Sequence, residues 1–233
     1  MLARDTIAAT ATWRPQLFGD KRAASIADPI IEPLWTGPRI LAAVRHDGTV
    51  RLTDVDGEAV TGHDEIGEAL RTAAGGATVI VEAFLTAEPM QAVADIAGRE
   101  MIRVPNPTQA MTQMIIGTRG ARKDRLVGRK DEARLRTIDG AVDRVALVAV
   151  DLIWLDEESL CDVPLLERRR ILESVLVEGD LVRVGIHVKP PVDSWLGSWR
   201  AFGFRRLAYK AANSRYLPGV KNQEWATAEI PQR

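Results

Sequence analysis

Hydrophobic and polar positions in the first third of the chain follow strand and helix periods in turn. The runs ILAAVRH at 40–46 and TVRLTDVDG at 49–57 are of β type, and the pair Asp47-Gly48 between them predicts a hairpin. Helical spacing follows, with apolar residues at Ile66, Ala69, Leu70 and Ala73 and a stop at Gly75-Gly76. The β-branched run TVIVEAFLT at 78–86 then predicts a buried strand.

The last ninety residues alternate between the same two kinds of element. A long apolar run at 144–156 predicts a buried strand, and residues 164–179 predict a helix that begins at proline and ends at glycine. Further strands are predicted at 181–190, 205–210 and 223–230, with a short helix at 192–204 and a loop at 213–222. Because strands outnumber helices without strict alternation, the pattern predicts an α+β fold with antiparallel sheets.

Composition narrows the class of protein. The 233 residues are 46% hydrophobic and 27% charged, which is typical of a folded globular chain. The formal net charge of −1 lacks the basic excess that drives general binding to nucleic acid. Cys161 is the one cysteine, so we expect no disulfide framework and no multi-thiolate metal site. With no signal-peptide pattern and no run of about 20 apolar residues, we expect a cytoplasmic protein with no membrane partner.

One segment, 87–143, departs from this even charge balance. After the breaker VPNPTQ it is rich in arginine and lysine, most densely between Arg119 and Arg136. One interpretation is a solvated helical excursion whose Met111, Met114 and Ile115 face the core; the other is an insert that binds nucleic acid. The first is favoured because no aromatic residue interleaves the basic ones to stack on bases.

Five segments, taken in order, resemble the adenylation domain of the ATP-dependent DNA ligases, within the lysine-dependent nucleotidyltransferase family. Where that family has E-P-K-W-D-G-x-R, D-G-E, F-D-L-L-x-L-D-G, E-G-x-V-x-K and W-x-K-x-K, this chain has EPLWTGPR at 32–39, IVE at 80–82, VDLIWLDE at 150–157, RRLAYK at 205–210 and WATAE at 225–229. The resemblance covers the chain from about residue 28 to residue 230.

The resemblance implies a fold and a domain plan. We expect an ATP-grasp-like adenylation domain, with two antiparallel sheets flanked by helices and a nucleotide cleft between them. Residues 1–233 then form a single domain with an extension at 1–27 and the partly basic insert at 87–143. The family's C-terminal OB-fold is not expected here, since only PQR follows Ile230, and strand joining by this chain alone is therefore not expected.

The departures from the family pattern fall on its chemistry. The family's nucleophilic lysine is Leu34, which has no lone pair with which to attack the α-phosphate of ATP. The metal-supporting glutamate is Arg205, and a guanidinium does not ligate magnesium. The two phosphate-neutralising lysines are Thr227 and Glu229, and the aromatic that stacks on adenine is Val150. We therefore expect no catalytic residue and no metal site; His46, His63 and His187 show no ligand spacing.

Four residues, Glu32, Arg39, Glu82 and Lys210, keep the family's nucleotide-contacting types. One interpretation is a vestigial nucleotide pocket that includes Trp35 and Val150, in which Arg205 or Arg206 replaces the metal's positive charge and binds an anion. The other is structural, with Glu32 and Glu82 as solvated strand-edge charges paired with Arg39 and Lys210, and Trp35 in the core. The sequence leaves both open.

The function expected from this pattern is that of a pseudoenzyme with a binding or scaffolding role, in a DNA-repair setting that the resemblance suggests. It needs no cofactor, ATP or AMP is a doubtful ligand, and the partner is DNA through the basic insert or another protein. The oligomeric state is left open. The rival is residual ligase or nucleotidyltransferase activity, for example the sealing of a pre-adenylylated nick, for which the lysine is not the attacking group.

Overall fold

The computed structural model describes residues 9–86 and 145–231. The basic insert and the predictions made for it lie outside these residues. The described chain contains strands β1 (Leu17–Phe18), β2 (Pro29–Pro33), β3 (Arg39–Val44), β4 (Val50–Thr53), β5 (Val79–Thr86), β6 (Ala146–Leu155), β7 (Glu158–Ser159), β8 (Val182–Val184), β9 (Arg206–Ala211), β10 (Lys221–Asn222) and β11 (Trp225–Glu229). Its α-helices are α1 (Asp64–Ala73), α2 (Leu165–Val175) and α3 (Asp193–Ala201).

These strands form two main sheets. The large sheet has the order β4-β3-β5-β6-β7, all antiparallel, with β8 added in parallel to β6. The small sheet has the order β11-β9-β2 and is antiparallel throughout. A short parallel pair joins β1 to β10. The predicted α+β fold with two antiparallel sheets flanked by helices is confirmed.

Local chemistry explains where several elements begin and end. The β3–β4 hairpin turns at Gly48, whose φ of 81° favours glycine, and the Asp47 carboxylate accepts the Thr49 N–H at 2.9 Å. Helix α1 carries Asp64 and Glu65 in its first turn, where acidic side chains stabilise the helix dipole.

Two predicted boundaries are wrong. The helix predicted to reach residue 179 ends at Val175, because Leu176 is extended and the Val177 N–H bonds to the Ala73 carbonyl of α1. The strand predicted over 181–190 shrinks to β8, because the chain then leaves the large sheet and Val188 bridges to Ile31 of the small sheet. Residues 182–188 therefore connect the two sheets.

Four hydrophobic clusters organise the described residues, and the smallest contains Ile26, Ala211 and Ala226. The outer cluster packs α1 and α2 against one side of the large sheet, with Leu70, Val81, Leu147 and Leu172 among its fully buried members. The inter-sheet cluster joins Leu41, Ile80, Ile153 and Trp154 of the large sheet to Ile30 and Trp225 of the small one. A third cluster packs α3 against the small sheet through Ile31, Trp199, Phe204, Leu207 and Ile230. Over 9–86 and 145–231, no helix is both long and apolar enough to traverse a bilayer.

Candidate functional site

The retained residues meet between the two sheets, and the first group lies on the small sheet. Lys210 of β9 has Ile30 of β2 and Trp225 of β11 as its register partners. Its Nζ donates to Glu32 Oε2 at 3.0 Å and lies 4.3 Å from the centroid of the Trp225 ring. Both members of the pair are buried, with residue exposures of 3% for Glu32 and 2% for Lys210. Glu32 Oε1 is buried and makes no hydrogen bond in the described chain.

The second group lies on the large sheet, around Glu82 of β5. Arg39 Nε and Nη2 donate to Glu82 Oε1 at 2.9 and 2.6 Å. Tyr216 donates its hydroxyl to Glu82 Oε2 at 2.5 Å, and the same hydroxyl accepts the Gln16 N–H at 3.0 Å. Glu82 is fully buried, and both of its oxygens are therefore satisfied by the chain itself.

Electrostatics hold this second group in one protonation state. Burial raises the pKa of Tyr216 well above its ordinary value, and the negative charge of Glu82 raises it further. Burial alone would lower the pKa of Arg39, but the adjacent Glu82 charge outweighs it and the pKa is raised. Tyr216 is therefore a permanent donor and Arg39 a permanent cation.

The position of the family nucleophile lies beside a different ion pair. Leu34 is half-buried, and its N–H donates to the Arg206 carbonyl at 2.9 Å. The Arg206 side chain donates to Thr227 Oγ1 at 2.5 Å and lies 3.3 Å from Glu229. The cation that was considered for anion binding is thus opposed by a carboxylate, at an exposed end of the small sheet. Arg205, the other candidate, is exposed and immediately precedes β9.

Val150 and Trp35, which the resemblance would place near the adenine base, both lie next to Gly185 in the connection between the sheets. Val150 of β6 is buried, and Gly185 lies against it so closely that an added Cβ would come within 3.2 Å of Val150 Cγ1 and 3.3 Å of Trp35 Nε1. Trp35 is half-buried and makes an edge contact with Phe204, with ring centroids 5.0 Å apart. Its indole N–H is buried and has no hydrogen-bond partner in the described chain.

Two arginines of α2, absent from the sequence-based prediction, complete the polar interior. Arg168 binds Asp151 of β6 in a bidentate pair, with N···O distances of 2.8 and 2.7 Å and both side chains fully buried. Arg169 donates to the Val150 carbonyl at 2.7 Å, to the Gly185 carbonyl, and to His187 Nδ1 at 3.3 Å. The sequence did contain a signal that the two arginines would be buried. Positions 165, 168, 169 and 172 lie on one helix face, and the first and last of them are leucines.

The structure thus corrects part of the structural interpretation. Arg39 does pair with Glu82 and Lys210 with Glu32, as that interpretation expected. The expectation that the two glutamates are solvated strand-edge charges is wrong, because both carboxylates are buried: Glu82 lies in β5, which has a neighbour on each side, and Glu32 is buried although β2 is an edge strand of the small sheet. The pairs belong to the interior of the molecule.

The donor set does not fit a divalent metal. Among the described residues, no three His, Cys, Asp or Glu side chains are grouped so as to hold an ion. The inter-sheet carboxylates Glu32 and Glu82 already accept hydrogen bonds from Lys210, Arg39 and Tyr216. No step through a metal is therefore derived for this site.

Comparison with known proteins adds three relatives, and no family model matches the chain. A DNA ligase of Methanoculleus marisnigri is 29% identical over 102 residues, which are 40% of this chain and 17% of that ligase. The ligase domain of LigD from M. tuberculosis superposes with a TM-score of 0.62 at 21% identity. A mycobacterial DNA ligase D complexed with ATP and MES superposes with a TM-score of 0.60 at 20% identity.

These matches establish the fold. Each of the two solved structures covers 94% of this chain, whereas the chain spans 60% of their length. The resemblance to the adenylation domain of ATP-dependent DNA ligases is confirmed as a likeness of fold. The described chain therefore has the fold of the DNA ligase domains on which it superposes.

Proposed function

We propose that this chain is a non-catalytic member of the DNA-ligase-like fold, which binds or scaffolds and does not form a lysine–AMP intermediate. The observation that carries the proposal is Leu34, an aliphatic residue at the position of the nucleophile. A covalent adenylate requires an amine with a free lone pair in line with the α-phosphate, and leucine offers none.

The other lysines of the described chain do not offer a replacement. They are Lys21, Lys189, Lys210 and Lys221. Lys189 and Lys221 form exposed ion pairs with Asp28 and Asp20, and Lys21 is exposed on the N-terminal segment. Lys210 is the buried lysine of the inter-sheet region, and Glu32 and Trp225 hold its ammonium group. A lysine whose terminal nitrogen is bound by a carboxylate and an aromatic face is not free to approach a phosphorus atom in line.

The charges at the end of the small sheet, where the resemblance would place the phosphates, also argue against adenylate transfer. Glu229 lies where the family neutralises phosphate, and Arg206 is already opposed by that carboxylate. A triphosphate placed there would meet a negative charge and no metal ligands. The base end differs, since Glu32 Oε1 and the Trp35 N–H are buried and unpaired. One structural relative is complexed with ATP. We therefore propose an adenine nucleotide as the ligand of this cleft, bound without transfer.

The decisive experiment is a mass measurement of adenylation. The unaltered chain, Leu34→Lys and Leu34→Arg are each incubated with ATP and magnesium, and intact mass is recorded. We expect no AMP adduct on the unaltered chain or on Leu34→Arg, which restores charge without a nucleophile. An adduct on Leu34→Lys alone would show that the pocket still accepts ATP and lacks only the nucleophile. An AMP adduct on the unaltered chain would refute the proposal and locate a relocated lysine.

A second function is favoured by one observation: Arg39, Glu82 and Lys210 are present although the nucleophile position is Leu34. Sealing a pre-adenylylated nick does not use the lysine as the attacking group, so this step alone could survive. The test supplies nicked DNA that already carries 5′-adenylate, with and without magnesium, and compares the unaltered chain with Lys210→Met. Sealing that needs both magnesium and Lys210 would establish an enzyme; no sealing would leave the non-catalytic role.

For the partner, we propose DNA in a repair setting, contacted through the basic stretch between Arg119 and Arg136, with a protein partner as the alternative. The relatives are DNA ligases, and clustered basic residues neutralise phosphates. Binding of duplex DNA that weakens steeply with salt, and that is lost when Arg122, Lys123 and Arg125 are replaced by glutamine, would support this partner. Equal binding by that triple variant would show that the basic stretch is not the contact.

We propose the cytoplasm as the compartment.

A further inference from the structure

The N-terminal strap, defined as residues 13–18, crosses from one sheet to the other. At one end Trp13 makes an edge contact with Trp154 of the large sheet, with ring centroids 6.2 Å apart. At the other end Phe18 packs on Trp225 of the small sheet, with centroids 5.7 Å apart. Both strap aromatics are partly buried against the inter-sheet cluster. The strap therefore seals the side of the inter-sheet region that these two tryptophans border.

The strap also covers the Arg39–Glu82 pair. The Arg39 guanidinium lies over the Phe18 ring at 5.2 Å from its centroid, and the Arg39 side chain is only 12% exposed. Two of its nitrogens bond to Glu82, while Nη1 makes no hydrogen bond within the described residues. A guanidinium has five N–H donors in a planar fork, which suits a phosphate or carboxylate. Spare cationic donors thus lie beneath an aromatic ring.

Few polar contacts hold the strap in place. The Gln16 N–H bonds to the Tyr216 hydroxyl, and Gln16 Oε1 accepts the Leu217 N–H. Strand β1 pairs with β10 over two residues, Leu17 and Phe18, and two further backbone bonds join the Leu17 N–H to the Val220 carbonyl at 3.0 Å and the Gly219 N–H to the Arg14 carbonyl at 2.9 Å. Gln16 Nε2 is buried without a partner in the described chain, and an unpaired buried donor lowers the stability of the closed arrangement. Such a contact set is small enough to be exchanged for a ligand.

We infer that the strap is a closing element of the inter-sheet site, and that its displacement opens Arg39 to a phosphate-bearing ligand. This inference rests on the proposed function, since the ligand is the adenine nucleotide proposed for the same cleft. In the closed arrangement the Phe18 ring lies against the guanidinium and narrows the approach to its N–H edge. Glu82 stays bound to Tyr216 in both arrangements, so the anion contacts the spare donors of Arg39 alone.

The test compares Phe18→Ala with Leu17→Ala, its neighbour in the same short strand. Leu17 is exposed, so its truncation controls for a general weakening of β1. Binding of AMP and of inorganic phosphate is measured by calorimetry on the full chain without magnesium. We expect Phe18→Ala to bind AMP at least tenfold more tightly than the unaltered chain, and Leu17→Ala to match the unaltered chain within twofold. A gain for phosphate as large as for AMP would identify the anion alone as the ligand.

A second variant guards against loss of folding in the first. Gln16→Ala removes the Leu217 contact and the unpaired amide, but leaves the Phe18 ring intact. Hydrogen exchange of the Leu17, Gly19 and Leu217 amides should quicken in Gln16→Ala, and AMP affinity should rise in the same direction. No gain in affinity for either ligand in both variants, or an equal gain in Leu17→Ala, would overturn the inference. Neither outcome bears on the proposed lack of catalysis, which the mass of an AMP adduct decides separately.

Discussion

The two sides of the large sheet are held together by different forces. On its outer side α1 and α2 bury an almost entirely apolar cluster, in which packing and loss of water contact supply the stability. On its inner side aromatic rings share the interior with the Arg39–Glu82 and Lys210–Glu32 pairs. Arg168–Asp151 belongs to this side as well, because the start of α2 contributes Leu165 to the inter-sheet cluster and Arg168 lies over the Tyr216 ring. Buried ion pairs add little net stability, because desolvation offsets attraction, so stability alone does not account for the inner side.

The difference shows which side of the sheet carries residues that the packing of a sheet against helices does not require. An apolar outer side is what any sheet covered by helices requires. On the inner side the charged residues Glu82, Arg39 and Lys210 satisfy one another or their neighbours. Removing one partner of such a pair is costly, because the other is left buried and charged.

The largest effect should come from breaking one inner pair completely. Asp151→Ala leaves Arg168 charged, fully buried and without its bidentate partner, and should lower the free energy of unfolding by about 3–5 kcal/mol. Leu70→Ala on the outer side should cost about 2–5 kcal/mol through the cavity alone. Urea denaturation measures both. Arg170→Ala, which breaks an exposed pair with Glu167, is the control and should change stability by less than about 1 kcal/mol.

A matched outcome would blur the comparison between the two sides. If Asp151→Ala cost no more than Arg170→Ala, Arg168 would be relieved by water or by a shifted partner, and the inner side would be more open than its burial implies. If the double variant Asp151→Leu/Arg168→Met were as stable as the unaltered chain, the pair would be dispensable for stability, as expected for a buried pair replaced by apolar residues of similar volume.

The next effect separates the two glutamates of the inner side. Glu82→Gln disturbs three hydrogen bonds, two from Arg39 and one from Tyr216, and should cost about 2–3 kcal/mol. Glu32→Gln disturbs one bond from Lys210, and its second oxygen is already unpaired, so it should cost about 1–2 kcal/mol. Chemical denaturation of the two variants in parallel gives the order. An equal or reversed order would mean that Glu32 Oε1 has a partner in solution.

The sequence predicted the outer side of the large sheet better than the contacts on its inner side. The outer side was predictable because α1 follows a helical hydrophobic period and β5 and β6 are continuous apolar runs, which the structure buries almost throughout. The inner contacts join distant residues, such as Tyr216 to Glu82 across 134 positions and Leu217 to Gln16 across 201. No local period encodes such contacts. The motif positions of Glu32, Arg39, Glu82 and Lys210 indicated which residues meet, and one of the two interpretations predicted their pairing, but neither predicted that the pairs would be buried.

The smallest effect tests the charge environment where the sheets join. Burial, together with the positive charges of Arg169 and Lys210, lowers the pKa of His187 from its ordinary 6.5 to about 3. Glu173, 3.7 Å from Nδ1, is the opposing charge, but it is exposed. Arg169 donates to Nδ1, which requires a neutral ring with its proton on Nε2.

Because the folded pKa lies below the unfolded one, the unfolded chain binds the extra proton between pH 6.5 and 3. The contribution of His187 to stability is therefore complete above pH 6.5 and is lost as the pH falls toward 3. Between pH 7 and pH 5, the loss of this contribution should lower the free energy of unfolding by about 1–2 kcal/mol. His187→Asn, whose Oδ1 can still accept from Arg169, should remove this part of the pH dependence while the carboxylates keep theirs. Identical pH profiles for the two proteins, measured by urea denaturation, would show that the ring is solvated enough to charge without loss of the fold.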